Sequence, residues 1–311
     1  MSETMTAVVQ DSVGGPELLH LGTVPRPTPG IGEVLVRVHA AGVNPADHMN
    51  RQRGVFSGQP PFVLGWDVSG EIAAVGPGVT VHRPGDEVFG LLPFPRGAGA
   101  YAEFVVAPAR ALVPKPAVLD HVRAAALPLA GLTAWQALVD TAHVGPGDRV
   151  VITGAAGGVG HLAVQIAAHL GAEVTAVTSA ATIDHVLALG AHRAVDYRSA
   201  DFATQISDAD VVLEVVGEEN SLRALRVLRP GGILVVTLPQ SLPALAPVAA
   251  ELGVRVAGLF VEADRLGMTA LADLAAARAL RPTISATYPL ADAAQAHTGP
   301  HAPGKVVLTV A

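Results

Sequence analysis

Cysteine is absent from this chain of 311 residues. That excludes disulfides, a thiol nucleophile and any cysteine-ligated zinc. Long apolar runs are missing too. Half of the residues are hydrophobic and the mean hydropathy is +0.43, yet even the apolar segment from Leu242 to Val261 is interrupted by Glu251 and Arg255. No membrane span is therefore expected. Met1-Ser2-Glu3-Thr4 is not a basic region followed by an apolar core, so no secretory signal is expected and a cytoplasmic location is the default. Net charge is −7, and no basic tract occurs. Arg223, Arg226 and Arg229 recur at i,i+3 and read as the solvated face of one helix, which makes nucleic acid an unexpected partner. The 12 histidines are scattered. His297 and His301 have i,i+4 spacing, but Gly299 and Pro300 lie between them, so solvated or locally hydrogen-bonded histidines are expected and a metal site is not.

What the chain does carry is a glycine turn. Arg149-Val150-Val151-Ile152-Thr153 reads as a β-branched strand that breaks into Gly154-Ala155-Ala156-Gly157-Gly158-Val159-Gly160. A helix from His161 to Leu170 follows, with Leu162, Ile166, Ala167 and Leu170 on one stripe. Strand, glycine turn and helix N-terminus make an anion site, because backbone N–H groups point outward and the helix dipole favours a pyrophosphate. Gly157 lets the backbone approach phosphates and Gly160 lets helix and strand pack closely, while Ala155 takes the place of the first glycine. Alone the motif is ambiguous, since such turns also occur for structural reasons.

Downstream, strands and helices alternate: a strand Glu173 to Ser179, a helix Ile183 to Leu189 stopped by Gly190, and a strand Arg193 to Tyr197. Ala209 to Val216 is a near-continuous apolar strand, as expected for a parallel sheet buried on both faces. A helix from Asn220 to Leu228 ends at Pro230-Gly231-Gly232, and strands follow at Ile233 to Leu238 and Val254 to Val261. The pattern predicts an α/β fold, a doubly wound parallel Rossmann sheet with the glycine turn in its first βα unit. Residues 1–126 have a different texture. Strands such as Glu33 to His39 and Val68 to Val75 alternate with turns rich in proline and glycine, the mark of a compact β-rich domain. A last strand, Gly304 to Val310, returns to it, so residues 1–126 and 263–311 form one domain and 127–262 an inserted dinucleotide-binding domain.

Several segments carry a resemblance. These are Gly42-Val43-Asn44-Pro45-Ala46-Asp47, Gly65-Trp66-Asp67-Val68-Ser69-Gly70-Glu71, Pro84-Gly85-Asp86-Glu87-Val88 and Leu127-Pro128-Leu129-Ala130-Gly131-Leu132-Thr133-Ala134. With the glycine turn and Gly304-Lys305-Val306-Val307, this ordered set resembles the medium-chain dehydrogenase/reductase superfamily, in its zinc-independent quinone oxidoreductase-like branch. The resemblance implies a GroES-like first domain, hydride transfer from a nicotinamide, and a cleft between the domains. Zinc-dependent relatives carry a His-Glu pair after the glycine and a ligating cysteine, where this chain has Trp66-Asp67 and no cysteine. Without a Lewis acid, an unactivated alcohol has no evident route to an alkoxide, so reduction of a quinone or an α,β-unsaturated carbonyl is favoured.

The second strand ends Val177-Thr178-Ser179-Ala180 and offers no carboxylate to the ribose hydroxyls, which predicts NADPH. By resemblance Ser179, Tyr197 and Arg198 face the 2′-phosphate, although Ala181 stands where a basic residue is common. Ala156, Gly157, Gly158, Val159, Val216, Leu238 and Phe260 complete the cofactor contacts, with Asn44 and Thr133 at the nicotinamide end. Thr133 is also placed as the cap of a helix it begins. The candidate catalytic residues are Asn44, which hydrogen-bonds an acceptor carbonyl or caps the turn before Pro45, Asp47, which orients that loop, and Tyr101, a hydroxyl or a packed strand aromatic. Phe56, Trp66 and Phe260 line the acceptor pocket. Phe56 replaces the tyrosine of enoyl-thioester reductases and donates no proton, so water is the expected proton source. Positioning in a dry cleft then carries the catalysis. Three readings stay open: a reductase of small apolar quinones or enones, a reductase of one specialised biosynthetic enone or enoyl intermediate, and a weakly active nucleotide-binding regulatory protein. The apolar strand Val254 to Val261, at the sheet edge, predicts a homodimer.

Overall fold

The computed structural model describes residues 3–217, 219–299 and 302–310, so His301 lies outside the described residues. The chain divides into two compact units, residues 1–132 with 262–311, and residues 133–261.

The first unit opens with strands β1 (Thr4–Gln10), β2 (Leu19–Pro25) and β3 (Glu33–Gly42), then helix α1 (Pro45–Arg53). Strands β4 (Phe62–Val63), β5 (Asp67–Val75), β6 (Glu87–Leu91), β7 (Phe104–Pro108) and β8 (Leu112–Pro114) follow. Two helices, α2 (His121–Ala125) and α3 (Pro128–Trp135), lead to the second unit. That unit runs β9 (Arg149–Thr153), α4 (Gly160–His169), β10 (Glu173–Thr178), α5 (Ile183–Ala188) and β11 (Arg193–Asp196). It continues with β12 (Ala209–Glu214), α6 (Glu219–Leu225), β13 (Leu228–Val236), α7 (Leu242–Leu252) and β14 (Arg255–Gly258). The chain then returns to the first unit as α8 (Arg265–Ala276), β15 (Ile284–Pro289), α9 (Ala293–Ala296) and β16 (Lys305–Thr309). No described helix is long and apolar enough to cross a membrane.

The first unit holds a three-stranded sheet, β2-β1-β4, and a larger one in the order β15-β16-β3-β5-β6-β8 with β7 also on β3. β16 joins antiparallel to β3, with Leu308 opposite Ala41, and so carries the C-terminal segment into this sheet. Strand β3 is covered on both faces over Val34, Leu35 and Val36, which are all buried, and only Arg37 is exposed between Val36 and Val38. The second unit is a six-stranded, wholly parallel sheet, β11-β10-β9-β12-β13-β14. Its order reverses between β9 and β12, which places the turn after β9 at the topological switch point, where open α/β sheets take their ligands. Val211, Val212 and Leu213 of β12 are buried in succession, since helices cover both faces.

Three local expectations are corrected. Helix α6 ends at Leu225, and Pro230-Gly231-Gly232 lies inside β13, where a register shift between Ala209 and Val211 accommodates it. Arg223, Arg226 and Arg229 therefore share no helix face: Arg229 sits in β13 and its guanidinium pairs with Asp210. Among the histidines, His161 is locally hydrogen-bonded as expected, but His82 and His297 are buried and bond to residues distant in sequence, Ala109 and Tyr101.

Candidate functional site

In the second unit the glycine turn is shaped by close approach. A Cβ on Gly160 would lie 2.2 Å from the carbonyl oxygen of Gly154 and 2.7 Å from the Cα of Ala155, so only glycine lets α4 start this near to β9. Ala155 is fully buried and its N–H donates to Val177 of β10 at 3.1 Å, which pins the turn to the neighbouring strand. Gly157 donates to the Gly154 carbonyl at 2.9 Å, and the buried His161 ring meets the Gly157 carbonyl through Nδ1 at 2.8 Å. The N–H groups of Gly158 and Val159 enter none of the backbone hydrogen bonds that close the turn. They remain as donors at a helix N-terminus, and the turn fits a dinucleotide pyrophosphate.

At the end of β10 the chain puts hydroxyls where an acidic residue would bind ribose. Thr178 and Thr182 share a hydrogen bond of 2.6 Å, and Ser179 Oγ lies 3.2 Å from Thr182 Oγ1. Tyr197 is anchored beside them, its N–H donating to the Thr178 carbonyl at 3.1 Å. Arg198 Nε donates to the Tyr197 hydroxyl at 3.2 Å, and both side chains are exposed. Ser179, Tyr197 and Arg198 thus converge on one corner of the sheet. Val216 and Phe260 are exposed and Leu238 is half-buried, at the ends of β12, β14 and β13 respectively. Thr133 does not begin a helix: it is buried in the interior of α3, so the capping role is corrected.

Glu214 was not singled out from the sequence. Its buried carboxylate accepts from Thr153 Oγ1 (3.1 Å), Val216 N (2.7 Å), Gly217 N (2.9 Å) and Ser221 Oγ (2.8 Å). One side chain so fixes the strand preceding the glycine turn and the loop after β12 together. The signal was an acid at the buried end of β12, inside the apolar run Val211-Val212-Leu213-Glu214-Val215-Val216, a place that tolerates a carboxylate only when it is fully hydrogen-bonded.

In the first unit Asn44, Asp47, Asp67 and Lys305 form one buried cluster. Asp47 stands in the first turn of α1 and accepts from Asn44 N at 2.9 Å and Gly65 N at 3.0 Å. It thereby ties the Asn44 loop to the residue before Trp66. Burial pushes its carboxyl up to about 7, aided by the Asp67 charge and opposed by the two N–H donors and Lys305. Gly65 takes a φ of +97°, and a Cβ there would strike the Tyr101 ring at 2.4 Å. Asp67 Oδ2 accepts from Asn44 Nδ2 at 2.9 Å and from Lys305 Nζ at 3.4 Å, while its Oδ1 accepts from Leu129 N at 2.7 Å. Lys305 Nζ also donates to the Val43 carbonyl at 3.0 Å and to Asn44 Oδ1. Lys305 belongs to the terminal Gly304-Lys305-Val306-Val307 segment; that it faces Asp67 across 238 residues of sequence has no local signal.

The cluster does not fit zinc. Both oxygens of Asp67 are spent on protein donors, an ammonium already sits against it, and Trp66 is no ligand. No group of three or more histidine and acidic side chains among the described residues could hold a metal ion. Asn44 has both ends of its amide engaged, which fixes its orientation and leaves one Nδ2–H for a ligand.

Tyr101 is fully buried, with its hydroxyl 3.2 Å from His297 Nε2. Burial and the Asp47 and Asp67 charges raise its pKa well above the ordinary phenol value. His297 stacks on His48 at 4.4 Å, and burial holds its pKa down to about 3, aided by His48 and Arg51. Trp66 is also fully buried and packs edge-on against Phe56 (5.8 Å) and Phe94 (5.2 Å). Phe56, but not Trp66, lines a cavity of about 360 Å³ with Ser57, Phe62, Val63, Arg96, Gly97 and Ala98.

Comparison with known proteins agrees with this architecture. Residues 30–117 match the family described as alcohol dehydrogenase GroES-like domain, and residues 189–308 match that described as zinc-binding dehydrogenase. The chain is similar to a 2-haloacrylate reductase from Burkholderia sp, at 35% identity over 318 residues covering 94% of each chain. It is similar to the quinone oxidoreductase of Homo sapiens, at 32% identity covering 98% of this chain and 97% of the other. The solved quinone oxidoreductase from Coxiella burnetii superposes with a TM-score of 0.94 at 34% identity, covering 99% and 100% of the two chains.

Proposed function

Because this chain belongs to the medium-chain dehydrogenase/reductase superfamily, in its quinone oxidoreductase-like branch, we propose that it is an NADPH-dependent, metal-free reductase of quinones and α,β-unsaturated carbonyl compounds. The chain is an oxidoreductase of this family; the acceptor, the choice of NADPH and the independence from zinc are the proposal. The observation that supports it is the Asn44–Asp67–Lys305 cluster, in which an internal ammonium and an oriented amide already engage the buried carboxylate beside Trp66.

The second unit holds the cofactor through the turn amides of Gly158 and Val159 and the helix N-terminus of α4. Ser179, Tyr197 and Arg198 favour the 2′-phosphate, since they offer two hydroxyls and a guanidinium and no carboxylate. When bound, a reduced nicotinamide supplies the hydride. Asn44 donates its remaining Nδ2–H to the acceptor carbonyl, where negative charge grows as the conjugated system accepts two electrons. Lys305 and Asp67 keep that amide from rotating, and Asp47 keeps its backbone in place. Tyr101 is a packing residue in this reading, because its hydroxyl is buried against His297. The enolate or hydroquinone takes its proton from water.

The test is NADPH consumption with a panel of quinones and conjugated ketones. Turnover with NADPH at higher kcat/KM than with NADH supports the reading; NADPH binding without any turnover moves the protein to the regulatory alternative. In Asn44→Ala, kcat falls roughly 10- to 100-fold while NADPH affinity stays within about twofold. Unchanged kcat removes Asn44 from the site.

A further inference from the structure

The cavity of about 360 Å³ in the first unit has an apolar wall of Phe56, Phe62 and Val63 and one charged residue, Arg96. Phe56 and Phe94 meet at 5.3 Å, and both pack on Trp66, so the Phe56 wall of the cavity is held in a cluster of three rings. The Trp66 indole N–H is buried and meets no acceptor among the described residues, an uncommon state for a buried donor. Ser57 Oγ accepts from Asn50 Nδ2 at 2.8 Å, which leaves its own proton to donate.

Arg96 lies on a loop bracketed by Pro93, Pro95, Gly97 and Gly99, and its side chain is exposed. It enters no hydrogen bond or ion pair with the described residues, although the chain carries 27 acidic residues against 20 basic ones. A free guanidinium on the wall of an aromatic cavity is chemistry for a flat molecule that is apolar at one end and anionic at the other.

We propose that Arg96 is a specificity-determining residue, and that the preferred acceptor is a small conjugated compound bearing a carboxylate. The proposal rests on the reductase reading above. Two electrons pass as hydride from the reduced nicotinamide, which is oxidised, to the carbon β to the activating carbonyl. The C=C π pair moves onto the α carbon and carbonyl, and a proton from water completes the saturated product. The carboxylate itself is unchanged and serves only as the handle that Arg96 grips.

The experiment compares (E)-4-oxopent-2-enoic acid with its methyl ester, each assayed with NADPH in wild type and in Arg96→Gln, alongside 1,4-benzoquinone. In wild type the acid has about tenfold or greater kcat/KM than the ester, carried by KM and weakened by added salt. Arg96→Gln brings the two within about twofold, while the ester and benzoquinone rates do not change. Equal use of acid and ester by wild type, or an acid preference that survives Arg96→Gln, overturns the proposal. Turnover of benzoquinone in that case leaves the reductase reading standing. If no acceptor turns over, that reading fails, and calorimetric binding of acid and ester to the two proteins decides the role of Arg96 alone.

Discussion

Lys305 and Asp67 are a buried ion pair, with side-chain exposures of 3% and 0%. Taking one partner away strands the other charge in a medium that cannot solvate it, at a cost of roughly 3–5 kcal/mol, whereas replacing both by apolar groups is often near neutral. Lys305→Met is therefore predicted to lose that much in urea unfolding, and the double variant Lys305→Met with Asp67→Leu to recover most of it. Activity stays low in the double variant, because nothing then orients the Asn44 amide. Recovery of both stability and kcat would mean the pair has no positioning role. At this scale the sequence showed residue types but not their partners. Asn44, Asp47 and Trp66 were legible from their motifs, while Lys305 and Glu214 act through contacts that only the fold creates.

The unit β9–turn–α4 was legible almost residue for residue, because a β-branched strand, four glycines and an amphipathic helix each obey a local rule. Other elements had competing local signals. Pro230-Gly231-Gly232 reads as a helix stop, but the parallel sheet accepted it near the start of β13 through a register shift. Thr133 has the chemistry of a cap, but the helix had already begun at Pro128. The close approach at Gly160 yields a sharp expectation for this element. In Gly160→Ala the added methyl collides with the Gly154 carbonyl, so stability falls by about 1–3 kcal/mol. NADPH affinity falls at least about tenfold as the turn amides shift. Gly157→Ala, whose Cβ has a nearest contact of 3.2 Å, is milder in both respects. Equal effects at the two positions, measured by chemical unfolding and cofactor titration, would contradict the packing argument.

Across the whole molecule, two buried titratable groups work against each other. His297 has its pKa lowered from 6.5 to about 3, so the unfolded chain binds the extra proton and stability is lost as pH falls below 6.5. Asp47 has its pKa raised from 3.8 to about 7, so the folded chain keeps the extra proton and stability is lost as pH rises from about 4 to 7. Between about pH 4 and 6.5 the two slopes cancel. His297→Gln removes one of them and is predicted to add a fall of about 1.4 kcal/mol per pH unit, relative to wild type, over that window. Parallel pH profiles in urea unfolding would show that His297 is not held neutral by the fold. The proposal that the reaction proceeds without a metal belongs to the same scale, since the buried cluster around Asp67 joins β5, α3, the loop before α1 and β16. The most direct measurement is NADPH oxidation with 1,4-benzoquinone after exhaustive chelation, with metal content determined on the same sample. Full activity in a metal-free sample, with NADPH preferred over NADH, is the predicted result. Activity that is lost on chelation and restored by zinc would contradict it.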